Sequence, residues 1–317
     1  MVDAGERRPT RPRFRILLAE HYGMCFGVRD ALGAAEQVAV RRPATILGQL
    51  VHNEAVRKRL ADLGAREGKL RDSHAATRDV IVTAHGAADR DRQRWREAGF
   101  RVTDTTCPLV RKAHTALASL VAEGCQPVVV GKKGHVEVQG LTGDFPGAHV
   151  VLSPEDVASL PFAGKFGVVA QTTQPIERVT ALVELIRGRH PRAQVIFRDT
   201  VCQPTKARQR ALDELARRSD LVLVVGGAES NNSWQLVEKA RRRGARAERI
   251  SSAADLRVDW LRGVETVGVT AGTSTLERCV QQVLARLERL GGQRVAAPAA
   301  VAPEQDIIRG RAAGVRG

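Results

Sequence analysis

The sequence predicts an α/β protein with parallel sheets, on three observations. Short Val/Ile/Leu runs alternate with longer stretches of helical period along nearly the whole chain. Several runs, such as Leu221-Val222-Leu223-Val224-Val225, are apolar at every position, as a central strand covered on both faces requires. Small polar residues gather where the runs end and the helices begin, the place where open α/β sheets hold ligands.

Taken in order, strands are expected at Arg15 to Ala19, Thr45 to Leu47, Val80 to Thr83, Arg101 to Asp104, Pro127 to Val130 and His149 to Leu152. The series continues with Phe166 to Ala170, Gln194 to Phe197, Leu221 to Val225, Arg249 to Ser251 and Thr266 to Val269. Helical periods fill the gaps, among them Asn53 to Leu63, Leu109 to Val121, Ile176 to His190, Pro204 to Arg218 and Leu276 to Leu290. Residues 1–13 lack periodicity and are expected to be a flexible arm; the Ala/Pro/Gly-rich stretch 292–317 is expected to be a mobile tail. Between them the expected units are 14–106, 107–200 and 201–291, each carrying one cysteine at a strand-to-helix turn.

Those cysteines are Cys25, Cys107 and Cys202. The last two sit in a repeated Asp-Thr-x-Cys before a helix (Asp104 to Cys107, Asp199 to Cys202). Their separation is too long for one zinc-finger loop and suits one cysteine per domain-sized unit. A helix N-terminus favours the thiolate, and soft thiolates select zinc, copper(I) or an iron–sulfur cluster. For any one of them alone, a small buried thiol is the simpler reading; the recurrence argues for function. Cys125, in a helix-to-strand turn, and Cys279, inside the last helix, do not repeat the placement and are expected to be structural.

Composition narrows the classes. Hydrophobic residues at 43% and charged residues at 27% are ordinary for a globular chain of 317 residues. No apolar run nears the roughly 20 residues a spanning helix needs, so no membrane partner is expected. The segment Ile16 to Ala19 is too short for a signal-peptide core, and a cytoplasmic location is expected. Net charge is +15, yet only 3% of residues are aromatic, which leaves few stacking platforms and argues against a nucleic-acid partner. Basic charge equally suits a small anionic substrate or an acidic protein.

Five strand ends lead into helices through small hydrogen-bonding residues: Ala84-His85-Gly86, Gly131 to Glu137, Gln171-Thr172-Thr173, Gly226 to Ser233 and Thr270 to Ser274. Such turns are ready anion sites, and five together point to a phosphate-rich ligand. No Walker loop or complete dinucleotide fingerprint accompanies them. Glu137, two residues after His135, is the candidate proton donor; an ordinary exposed glutamate is the alternative. Ser230, Asn232 and Ser274 are equally explained as helix caps.

Gly-x-Cys25-x-Gly-Val, Val51-His52-Asn53, Ala84-His85-Gly86, Asp104-x-Thr106-Cys107-Pro108 and Gly134-His135-x-Glu137 occur in that order. Gln171-Thr172-Thr173, Cys202, Ser230-x-Asn232-Ser233 and Thr270-Ala271-Gly272 follow. As a set these closely resemble the LytB/IspH family of 4-hydroxy-3-methylbut-2-enyl diphosphate reductases, over about residues 15–291. The resemblance implies three similar α/β domains in a pseudo-threefold trefoil around a central iron–sulfur cluster. It further implies one [4Fe-4S] cluster held by Cys25, Cys107 and Cys202, with one iron open to the substrate hydroxyl. Glu137 would protonate the departing oxygen, with Thr172 in the relay. His52, His85, Ser230, Asn232 and Ser274 would hold the diphosphate, with His135, Thr173 and Asn231 completing that pocket. The implied partners are an allylic diphosphate, converted to isopentenyl and dimethylallyl diphosphate, and a ferredoxin or flavodoxin as electron donor.

The chain departs from common family patterns at Phe26, Val136 and Asn231, without losing a role-bearing side chain. A diverged paralogue, or a cluster hydro-lyase acting on another allylic diphosphate, would share these motifs; a hydro-lyase would need no reductant. A nucleic-acid-binding protein with a structural metal would need neither the histidine turns nor Glu137.

Overall fold

Parallel pairing joins every strand of the computed structural model, which describes residues 13–51 and 53–295. From the N-terminus the order is β1 (Phe14–Leu18), α1 (Phe26–Arg41), β2 (Ala44–Leu47), α2 (Glu54–Asp62), β3 (Ala65–Gly68), β4 (Asp79–Val82), α3 (Asp89–Glu97) and β5 (Arg101–Asp104). The middle runs α4 (Pro108–Ala122), β6 (Gln126–Val130), α5 (Val136–Gly143), β7 (His149–Val151), α6 (Pro154–Ala158), β8 (Lys165–Ala170), α7 (Ile176–Arg189) and β9 (Gln194–Phe197). The last part is α8 (Gln203–Arg217), β10 (Leu221–Val225), α9 (Asn231–Arg242), β11 (Arg246–Ile250), β12 (Thr266–Ala271), α10 (Glu277–Arg289) and β13 (Gly292–Arg294).

The strand orders are β3-β2-β4-β5, β7-β6-β8-β9 and β11-β10-β12-β1-β13. Apart from the added β13 they are one topology three times over. In the third sheet the fourth place is taken by β1, the N-terminal strand. Each cysteine therefore follows the fourth strand of a sheet: Cys107 follows β5, Cys202 follows β9 and Cys25 follows β1.

The helix after each cysteine packs on the next sheet. Ala31, Leu32 and Ala35 of α1 join the core of β2 and β4. Ala113, Leu117 and Leu120 of α4 join Val129 of β6 and Val169 of β8. Leu212 and Leu215 of α8 join Val222 and Val224 of β10. Every cysteine is thus the point where the chain leaves one unit and enters its neighbour, which is why three thiols far apart in sequence share the junction of three units. Pro108 and Pro204, in the first turns of α4 and α8, fix the entry geometry there at no loss of a helical hydrogen bond.

Two expected boundaries shift. The strand Phe14–Leu18, grouped by sequence with 14–106, pairs with β12 and β13, and its Phe14 and Ile16 lie in the core of the third sheet. The expected tail opens instead with β13, paired to Phe14–Ile16. Residues 1–12 and 296–317, the rest of the expected arm and tail, and His52 lie outside the described residues.

Candidate active site

Each cysteine is tied to a polar turn by its own main chain. The amide of Cys25 donates to the Thr273 carbonyl at 3.2 Å, that of Cys107 to Ala84 at 3.1 Å and that of Cys202 to Thr172 at 3.0 Å. Those carbonyls belong to the turns after β12, β4 and β8, the third strand of each sheet. The residues that follow them, Ser274, His85 and Thr173, are the expected substrate ligands. The repeat thus places a thiol beside a polar turn three times.

All three thiols are free and half-buried. Burial pushes the Cys107 thiol up, while the amides of Leu109 and Val110 pull it back. Burial pushes the Cys202 thiol to about 11 against a hydrogen bond with Thr205, whose Oγ1 lies 3.1 Å from the sulfur. At Cys107 and Cys202 the expected helix-terminus effect is present but outweighed by burial. The Cys25 charge acts on both other thiols, which puts the three around one space. The start of α1 closes that space: a Cβ on Gly27 would stand 2.3 Å from Cys107 Sγ. Among the described residues no three His, Cys, Asp or Glu side chains converge on a single ion. Three soft sulfur donors are of the type that an iron–sulfur cluster takes.

Glu137, in the first turn of α5, is 2% exposed. Its Oε1 accepts from the Thr172 amide at 2.6 Å. Burial raises the carboxyl to about 7, against the pull of the Thr172 amide and hydroxyl. The exposed-glutamate alternative is therefore excluded, and the group is poised between acid and base near neutrality. Its charge acts on both Cys107 and Cys202, so it faces the thiol space.

On its other side Glu137 lines a cavity of about 40 Å³ with His85, His135, Thr173, Ser230, Asn231, Asn232 and Ser274. His135 caps α5 through Nδ1, which accepts from the Glu137 amide at 3.1 Å, so its neutral form carries the proton on Nε2. Its ring meets that of His85 edge to face, centroids 5.5 Å apart. Ser230 caps α9, its Oγ accepting from the Ser233 amide at 3.3 Å. Asn232 Oδ1 accepts from the Thr273 amide at 3.0 Å. The Asn231 Nδ2 is buried with no hydrogen-bond partner among the described residues. Thus the described expected residues are brought together. Ser230 and Asn232 do cap or brace the fold, yet both also face the cavity.

Sequence reasoning gave no site role to Thr273, which joins Asn232 to the Cys25 turn, or to Arg208, a buried guanidinium on which the Cys25 and Cys202 charges act. Thr273 carried only the signal of its neighbours. Arg208 was legible as a charge on the apolar stripe of α8, in helical step with Thr205, Leu212 and Leu215. Cys125 is buried in the core of the second unit, as expected of a structural thiol.

Residues 16–288 match the family model described as LytB protein. A 4-hydroxy-3-methylbut-2-enyl diphosphate reductase of Aeromonas hydrophila is 36% identical over 289 residues, 89% of this chain and 93% of that one. The enzyme of the same name from Haemophilus influenzae is 33% identical over 289 residues, covering 89% and 92%. The structure of the E-1-hydroxy-2-methyl-but-2-enyl-4-diphosphate reductase from Plasmodium falciparum superposes with a TM-score of 0.82 at 26% identity, over 93% of this chain and 95% of that one. A structure of (E)-4-hydroxy-3-methyl-but-2-enyl diphosphate reductase, the terminal enzyme of the non-mevalonate pathway, gives 0.63 at 32% identity, over 87% and 99%.

Proposed function

The chain belongs to the LytB protein family, and from that premise we propose that it reduces 4-hydroxy-3-methylbut-2-enyl diphosphate to isopentenyl and dimethylallyl diphosphate. The reaction takes two electrons and two protons, breaks the allylic C–O bond and releases water. The observation that carries the reading is Glu137: a buried carboxyl raised to about 7 that faces both the three-thiol space and the polar cavity.

Cys25, Cys107 and Cys202 would hold the iron–sulfur group, which when bound supplies electrons one at a time and Lewis acidity toward the leaving oxygen. The chain's own residues then divide the remaining work. The Asn231 amide, the His85 and His135 rings, Ser230, Asn232, Ser274 and Thr173 receive the diphosphate, with His52 as a further candidate. Glu137, held by the Thr172 amide, delivers a proton to the departing hydroxyl so that it leaves as water rather than hydroxide. Burial of Glu137 keeps that proton from bulk solvent until the substrate is seated. The electrons come from an acidic ferredoxin or flavodoxin, drawn to a chain whose net charge is +15.

The direct test reconstitutes the protein anaerobically with iron and sulfide and follows oxidation of a reduced one-electron dye on adding the substrate. Substrate-dependent oxidation with five-carbon diphosphate products is expected. A cluster that forms without consuming dye would instead favour a hydro-lyase or a paralogue with another substrate.

A further inference from the structure

Arg208 lies in α8, six residues after Cys202, and is 6% exposed. A guanidinium keeps its charge at physiological pH, so burying one without an anion is costly. The other buried cations have carboxylates: Lys239 meets Glu177 and Asp213, and Arg92 meets Asp89 and Asp104. Arg208 has none among the described residues. One terminal nitrogen donates to the Pro204 carbonyl at 2.8 Å and the other to the Gly23 carbonyl at 2.5 Å. Its Nε is buried with no hydrogen-bond partner among the described residues. The ionisable groups whose charges act on it are Cys25 and Cys202.

We propose that Arg208 is the fixed counter-charge of the metal group bound by Cys25 and Cys202, favouring its reduced form and bracing the Cys25 turn against the Cys202 helix. The inference rests on the reading that the three cysteines hold an iron–sulfur group. Each electron taken up adds negative charge near the guanidinium, and a low-dielectric surrounding strengthens that attraction. Removing the cation should therefore make reduction harder. The bond to Gly23, two residues before Cys25, adds a mechanical link between the first and third thiols. Arg208 is on this account a positioning and tuning residue, not a group that touches substrate.

The test is an anaerobic redox titration of the full reconstituted chain, followed by absorbance and electron paramagnetic resonance, with iron content measured in parallel. Arg208→Gln should keep the spectrum of the bound group and move its midpoint to a more negative potential. Arg208→Lys, which keeps charge but loses the planar fork, should stay close to the parent. An unchanged midpoint in Arg208→Gln overturns the proposal. If Arg208→Gln gathers no iron, Arg208→Lys decides: assembly with a parental midpoint sustains the charge role, whereas failure to assemble, or a large negative shift, assigns the residue to shape alone. If the parent chain itself shows no iron–sulfur absorption, the cysteine reading has failed and the proposal falls with it, an outcome distinct from any difference between variants.

Discussion

The amide of Thr172 donates a 2.6 Å hydrogen bond to Glu137 Oε1, while the carbonyl of the same residue accepts from the Cys202 amide at 3.0 Å. One peptide segment thus fixes both the acid and a thiol, and neither can move far without the other. The amide donor holds the carboxylate form in place and limits how far burial raises the carboxyl.

Glu137→Gln keeps the size of the side chain and removes the transferable proton. Turnover should fall by about 10²–10⁴-fold, the usual range for loss of a general acid. Iron content and absorbance should be unaffected. Normal turnover would remove Glu137 as the proton source.

The raised carboxyl of Glu137 also predicts a pH dependence. As the acid form is the donor, turnover per bound cluster should decline as pH rises above about 7. Stability follows the same sign. Between about 4.5 and about 7 the folded state holds a proton that the unfolded chain has released, so the apo protein loses stability as pH rises through that window. The change should reach about 3 kcal/mol at most. Urea unfolding of the apo protein should show it in the parent chain and a flatter profile in Glu137→Gln.

Cys107→Ser and Cys125→Ser should separate ligand from structure. The first is expected to abolish or strongly reduce bound iron. The second places a hydroxyl in the apolar core of the second unit, lowering stability by about 1–3 kcal/mol while iron content holds. Equal iron loss in both would show that the ligand assignment is wrong.

Much of this was legible in the chain. The strands with continuous Val/Ile/Leu runs, β10 and β6 above all, announce themselves because burial on both faces demands it. Ala65–Gly68 was missed because an exposed edge strand of Ala-Arg-Glu-Gly carries no apolar period. The place of β1 was missed because its partners Thr266–Val269 lie at the other end of the chain, and parallel register leaves no local trace. The cysteines and the polar turns were legible as a repeated strand-to-helix grammar. That Glu137 is buried was not, since a glutamate just after a glycine-bounded turn reads as the exposed first turn of a helix, and what covers it, such as the Thr172 segment, comes from elsewhere in the fold.

Ser233, fully buried, explains two glycines. A Cβ on Gly272 would lie 2.3 Å from Ser233 Oγ but 3.5 Å from its Cβ, whereas one on Gly226 would meet the Oγ at 2.0 Å and the Cβ at 2.8 Å. Each alanine should destabilise the chain by about 1–3 kcal/mol through overpacking. Adding Ser233→Ala removes only the hydroxyl, so it should largely rescue Gly272→Ala and fail to rescue Gly226→Ala. Equal rescue in thermal unfolding would show that the backbone there yields more than the packing implies.

Gly27→Ala tests the thiol space without touching a thiol. Position 27 is in the first turn of α1, where alanine is the better helix former by up to about 1 kcal/mol. The added methyl would nevertheless stand 2.3 Å from Cys107 Sγ and 3.2 Å from its Cβ, so the sulfur must turn away. The apo protein should stay folded, with affinity for the iron–sulfur group weakened by about 10–100-fold, as when support around a metal ligand is disturbed. Iron content after reconstitution, read beside an unfolding curve of the apo protein, separates the two effects. Full iron in a folded Gly27→Ala would mean that Cys107 binds from another rotamer, or not at all.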